Sequence, residues 1–196
     1  MMVAERFRNS WKLTPVNIAA MGVGIALYAA LNVIFNTIQL PAGFGIALRP
    51  SVAIPMFFGF IFGPMVGFVV GFVGNAISDA ISWGGFWWNW DIANGLFGLF
   101  PGLALLWISE EEMASKKGLG ILAVLAVLGS VVGIGFAALT DVLFSIWSTP
   151  VENPWAAAWG EFVWAAPTDA VNGAIITPLL VLAYAAAARG RARRIT

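Results

Sequence analysis

Residues 16–37 read VNIAAMGVGIALYAALNVIFNT, a run with no acidic or basic side chain. A helix rises about 1.5 Å per residue, so a run of this length crosses a hydrocarbon core about 30 Å thick. Arg6, Arg8 and Lys12 precede it. The run is longer than the roughly 7–15 apolar residues of a signal peptide, so it reads as a retained helix rather than a cleaved leader.

The rest of the chain has the same character. Its 196 residues are 60% hydrophobic and 10% charged, with a mean hydropathy of +0.88. Soluble domains are about 45–50% apolar and about 25% charged. A soluble core of this size cannot hide that much apolar surface, but membrane lipid can surround it. Five further stretches qualify as spans, at about Ile46–Phe62, Met65–Ile81, Ile92–Ile108, Leu119–Ile146 and Pro167–Ala188. The expected fold is all-α, one domain over residues 1–196 built as a bundle of six transmembrane helices. The second span is short and interrupted by Pro50 and Pro55. Gly63-Pro64 reads as a tight turn before the third.

Basic residues orient this bundle. With both termini cytoplasmic, Arg6, Arg8, Lys12, Lys116, Lys117, Arg189, Arg191, Arg193 and Arg194 all lie inside, and Arg49 alone lies outside. That is a strong positive-inside bias. The segment with Glu110, Glu111 and Glu112 becomes an inside loop. Two outside loops hold most of the tryptophan. Trp83, Trp87, Trp88 and Trp90 sit in one, and Trp147, Trp155, Trp159 and Trp164 in the other. An interfacial aromatic belt explains indole at headgroup level. A belt marks both faces, however, and the inside face has only Trp11 and Trp107. Stacking of a planar ligand by some of these rings, with Trp87, Trp88 and Trp164 as candidates, is the competing explanation.

The same outer end collects polar residues. Ser78-Asp79 closes the third span, and Thr140-Asp141 closes the fifth. Asp91-x-x-Asn94-Gly opens the fourth, and Asp169-x-x-Asn172-Gly opens the sixth. The two hairpins resemble each other, and transporter sites tend to lie between such repeats. Asp91 and Asp169 in first turns also suit N-capping. Asp79 and Asp141 lie at helix C-terminal ends, where the dipole disfavours an anion, so capping does not explain them. Ionisable groups at membrane depth are costly and usually functional. With Asn75 one turn before Asp79, the expected result is an outward polar ring of Asn75, Asp79, Asp91, Asn94, Asp141, Asp169 and Asn172. Arg49 is available to pair with a carboxylate or to hold an anionic ligand group.

Small residues carry a second message. Gly67, Gly71 and Gly74, then Gly95, Gly98 and Gly102, then Gly129 and Gly133, read as close packing inside the bundle. Gly22, Ala26 and Ala30 form a smooth stripe on the first helix that suits either packing or docking of another membrane protein.

Several chemistries are absent. With no Cys and no His, the chain lacks thiolates, the commonest metal ligand and the commonest general base. There is no G-x-x-x-x-G-K-[ST] phosphate loop and no hydrolase signature. No enzyme and no cofactor are expected. A net charge of zero gives nucleic acid no footing as a partner.

The stretch Leu48-Arg49-Pro50-Ser51-Val52-Ala53-Ile54-Pro55, then Phe58-Gly59-Phe60-Ile61-Phe62-Gly63-Pro64-Met65-Val66-Gly67 and Gly71-Phe72-Val73-Gly74-Asn75-Ala76-Ile77-Ser78-Asp79, resembles helices two and three of the substrate-binding S components of energy-coupling factor (ECF) vitamin transporters. Asn94-Gly95-Leu96-Phe97-Gly98-Leu99-Phe100-Pro101-Gly102-Leu103 is similar to their fourth helix. The resemblance covers most of the chain. It implies a multi-pass protein of a prokaryotic plasma membrane that binds a vitamin-like ligand at its outer side. It implies a covering loop between the first two helices, here about Gln39–Gly45. It implies docking of a transmembrane coupling subunit through Ala-x-x-x-Ala, matched by Ala26 and Ala30 and extended by Gly22. Two ATPase subunits would supply energy, and the S component would topple to deliver its cargo. The cobalt and nickel members rely on histidine, so an organic ligand is implied here. Tryptophan with carboxylates suits a planar nitrogen heterocycle, neutral or cationic, such as a thiamine- or pyridoxine-like compound. A stand-alone proton- or ion-coupled secondary transporter, using the aspartates, is the other reading of the residues.

Overall fold

Thr14 and Pro15 start the first long helix. The Thr14 hydroxyl accepts the Asn17 backbone N–H at 3.2 Å, and Pro15 fills the first helical position, where a missing N–H costs nothing. The computed structural model describes residues 3–40, 46–147 and 150–192. Its helices are α1 (Val3–Asn9), α2 (Pro15–Phe35), α3 (Ala53–Phe62), α4 (Pro64–Trp83), α5 (Trp88–Gly102), α6 (Lys116–Phe144) and α7 (Pro154–Ala192). Short 3₁₀ turns, Pro50–Val52 and Leu103–Leu106, precede α3 and follow α5. The described residues form no strand beyond an isolated antiparallel bridge between Gln39 and Ala47.

Four helices among the described residues are long and apolar enough to cross a membrane: Pro15–Phe35, Pro64–Trp83, Lys116–Phe144 and Pro154–Gly190. Pro50–Phe62 is a shorter apolar helix. The protein is an all-helical membrane protein.

Three spans have boundaries that differ from the sequence expectation. Ile46–Arg49 is not helical. Leu40 N–H donates to Ile46 and Leu48 N–H to Ile38, so the chain enters as a bridge. Pro50 pushes Arg49 out of the helical region, at φ −118° and ψ 75°. The tryptophan-rich segment is already helix from Trp88, and α5 gives way to a 3₁₀ turn after Gly102 rather than running to Ile108. The last helix begins at Pro154 instead of Pro167. Pro154 is its first-turn proline, and Asn153 Oδ1 accepts the Ala156 N–H at 3.1 Å as the cap. Pro167 therefore sits inside the helix, where it removes one backbone bond.

Glycine sets how closely the central helices approach. A side chain on Gly59 or Gly67 would run into the Gly98 carbonyl, and one on Gly98 into that of Gly67. So α3, α4 and α5 touch backbone to backbone, which small residues permit. Gly63 joins α3 to α4 at φ +112°, a conformation other residues rarely adopt. α5 packs on α3, α4 and α6, α2 lies against α4 and α3, and α7 against α6 and α3. Met56, Phe97, Ala126, Ile134, Ala165 and Ala166 belong to one core cluster. Phe60, Ile108, Leu122 and Val181 belong to another near the Glu110–Glu112 end. At that end Arg6 donates to the Ile61 carbonyl at 3.3 Å, tying α1 to α3. Glu112, bonded by the Ser109 N–H and by Lys117, is held below the usual carboxylate range. Residues 41–45 of the expected covering loop, Arg193, Arg194 and the Arg191 side chain lie outside the described residues.

Candidate functional site

A cavity of about 490 Å³ opens at the end of the bundle that carries the tryptophans. Drug-sized ligand sites typically span about 300–1,000 Å³ and are mostly apolar with a few placed polar groups. Here four indoles, Trp83, Trp87, Trp90 and Trp147, share the wall with Arg49, Asn36, Asn75, Asp79, Asp141 and Glu161. Ile46, Ala47, Ile146, Val151 and Ala165 complete it.

Each polar wall group is fixed by a neighbouring element. Arg49 Nη2 donates to Asp169 Oδ2 at 3.0 Å, which links the entry to α3 with α7. Asp169 is 1% exposed, so its charge is matched inside the protein. Asn75 is a junction. Its amide nitrogen donates to Asp79 at 2.9 Å and to Asp91 at 2.8 Å, and its oxygen accepts from Asn32 at 3.1 Å. Ser51 in turn donates to Asn32 at 2.9 Å. Asn36 reaches Ser78 and Ser82, each at 3.2 Å. Asn32, Ser51, Asn75, Asp79 and Asp91 thus form one continuous network across α2, the turn before α3, α4 and α5, and the Asn36 group lies beside it.

The opposite wall is built from indole–carboxylate pairs. Trp90 Nε1 donates to Asp141 Oδ2 at 2.9 Å, and Asn89 donates to its other oxygen at 2.7 Å. Trp147 Nε1 donates to Glu161 Oε1 at 3.1 Å. Glu161 Oε2 is buried with no hydrogen-bond partner among the described residues, as is Asp91 Oδ2.

The expected site residues therefore separate. Arg49, Asn75, Asp79, Trp87 and Asp141 line the cavity. Asp91 and Asp169 stand just behind it, bonded to two of those residues. Asn94 lies deeper, accepting from Tyr28 and donating to the Trp90 carbonyl at 2.8 Å. Asn172 is on α7, its amide nitrogen buried and without a partner among the described residues. Trp88 turns its edge toward Phe136 and Phe144, and Trp164 is 44% exposed; neither lines the cavity. Asp169 sits mid-helix and pairs with Arg49, so a first-turn cap is not its role. The two hairpins do not bond alike either, since Asp141 is held by α5 rather than by α7. Glu161, Asn32 and Asn36 were not anticipated. Asn32 and Asn36, one turn apart in an apolar helix, were the visible signal for α2. For Glu161 it was a single charge among the tryptophans of 155–164.

Gly22, Ala26 and Ala30 lie together on the exposed side of α2. A side chain on Gly22 would meet nothing. Among the described residues no group of three or more His, Cys, Asp or Glu is placed to hold a metal ion.

An all-helical membrane protein with a ligand-sized chamber at one end of its bundle is what the fold and cavity define. Comparison with known proteins narrows the class. The model of the family described as ECF-type riboflavin transporter, S component, matches residues 12–186, and the chain belongs to that family. It is 30% identical over 180 residues to a UPF0397 protein of Lactobacillus delbrueckii subsp. bulgaricus, covering 88% of this chain and 91% of that one. It is 31% identical over 170 residues to a UPF0397 protein of Streptococcus gordonii, covering 86% and 87%. No solved structure gives a significant match.

Proposed function

We propose that this chain is the substrate-specific subunit of an ECF-type importer, and that the tryptophan-lined cavity binds a vitamin or related organic micronutrient. One observation carries the reading: a cavity of about 490 Å³ with four indoles and a set of hydrogen-bonded polar groups on one wall. Indole faces stack planar heterocycles, and fixed polar groups select among them. The family description names riboflavin, so riboflavin heads the ligands to be tried, with thiamine- and pyridoxine-like compounds beside it.

The rest of the assembly follows from the same reading. A transmembrane coupling subunit docks on the Gly22, Ala26 and Ala30 stripe, and two ATPase subunits supply the energy. The Pro50–Phe62 segment and α5 with its 3₁₀ turn act as the two shorter spans of a six-helix bundle. Both termini lie in the cytoplasm of a prokaryotic cell. The chain has no cysteine, so single introduced cysteines and an impermeant thiol reagent can map this topology.

The test is ligand binding by the purified protein, read by tryptophan fluorescence and by thermal shift across a vitamin panel. Saturable binding that weakens about 5- to 150-fold in Trp87→Ala is the expected result, since stacking on one ring contributes roughly 1–3 kcal/mol. A panel with no quenching and no thermal shift would defeat the proposal. The rival reading, a stand-alone transporter, draws on the buried, unpartnered Asp91 Oδ2 as a proton carrier. Uptake by this chain alone in proteoliposomes, driven by a pH gradient without ATP, would favour it.

A further inference from the structure

We infer that the cavity selects a planar organic cation, held between the Asp141 and Glu161 carboxylates. This rests on the cavity being the ligand site, as proposed above.

The charge balance of the wall points this way. Among the described lining residues there are three carboxylates, Asp79, Asp141 and Glu161, and one cation, Arg49. Arg49 already donates to Asp169, which is 1% exposed and not part of the wall. Its charge is thus matched by a residue the ligand does not meet. The wall carries three carboxylates against this one shared cation, so acidic groups are in excess among the described lining residues.

Glu161 supplies a second, independent observation. The residue is 4% exposed, and its Oε2 has no hydrogen-bond partner among the described residues although it lines the cavity. A buried polar atom without a partner is costly, and natural proteins leave few of them. Asp141 and Glu161 border the same cavity. A positive ligand group between them matches both carboxylates in charge. A neutral ligand can at most donate a hydrogen bond to one of them, and an anionic ligand adds to the negative charge.

The indoles suit the same cargo. Trp90 and Trp147 each give their N–H to one of these two carboxylates. The hydrogen bonds hold both rings in place at the wall. A cation over an indole face is attracted by the ring quadrupole, most strongly where water is excluded. Aromatic rings backed by carboxylates form a recognition set for a delocalised or quaternary nitrogen cation.

The experiment is a charge ladder on the purified full chain. Isothermal titration compares thiamine and 1-methylnicotinamide (cations), riboflavin and nicotinamide (neutral), and biotin and nicotinate (anions). The tightest ligand should be a cation. 1-Methylnicotinamide should bind at least about tenfold tighter than nicotinamide, through the attraction of its ring charge to indole faces and carboxylates where water is excluded. Glu161→Gln should weaken the cation at least about tenfold more than it weakens the neutral ligands. Asp141→Asn serves as a second variant if Glu161→Gln is not monodisperse. A neutral or anionic ligand binding tightest would overturn the charge assignment while leaving the cavity's binding role intact. So would a cation that binds both variants as well as the parent. No binding by any compound would overturn both readings at once.

Discussion

Arg49 and Asp169 are 120 residues apart, and each is the other's matching charge. Removing one partner leaves a buried charge uncompensated, at a cost of about 3–5 kcal/mol. Arg49→Ala should therefore lower the apparent melting temperature in detergent sharply. Arg49→Met combined with Asp169→Leu should recover most of the loss, because an apolar pair of similar volume avoids desolvation altogether. If the double variant melts as low as the single one, the pair is not what holds the two segments together. The sequence already singled out Arg49 as the lone outer cation. Its partner was hidden, because Asp169 looked like a first-turn cap while Pro167 looked like a helix start. Of the Asn75 junction, Asn75, Asp79 and Asp91 were readable one by one and Asn32 was not. That a single amide joins carboxylates from α4 and α5 depended on a helix crossing no local pattern encodes.

At the scale of elements, glycine and proline decide the geometry. Gly59, Gly67 and Gly98 bring α3, α4 and α5 into backbone contact. Gly98→Ala forces a methyl group against a carbonyl that has no side chain to swing aside, and overpacking of this kind typically costs about 1–3 kcal/mol. Gly22→Ala faces open space and should change stability by no more than about 0.5 kcal/mol. Thermal melts of the two variants in one detergent check the contrast, and equal losses would refute the packing account. The glycines of α4 and α5 announced close packing from sequence alone, whereas Gly59 of α3 was not among them. The helix boundaries were less visible, because two prolines compete to open α7. A first-turn proline and an interior proline look identical without the Asn153 cap beside Pro154 to separate them.

For the whole molecule, the membrane character and the end that carries the cavity were legible because they rest on composition and on repeated tryptophan and aspartate. Cavity shape was not, since it depends on how Trp147 and Glu161, from one stretch read as loop, meet Trp90 and Asp141. The α2 stripe belongs to this scale too. Ala26→Leu with Ala30→Leu should leave ligand binding within about twofold, because the stripe faces away from the cavity. The same double change should abolish co-purification with a coupling subunit, since branched side chains block close helix approach. Loss of ligand binding with the partner still attached would reverse the two assignments.

α7 has 39 residues, a length of about 58 Å at helical rise, against about 30 Å for a typical hydrocarbon core. It cannot match a bilayer along its whole length, and it carries Glu161 on the turns before Pro167. Hydrophobic mismatch is relieved by tilting or kinking, and Pro167 is an interior position already missing one backbone bond. Bilayer thickness thus acts on the spacing between Glu161 and the α5–α6 wall. Ligand affinity in nanodiscs should shift as lipid acyl chains lengthen from fourteen to twenty carbons. The shift should be smaller in Pro167→Ala, where the helix resists bending.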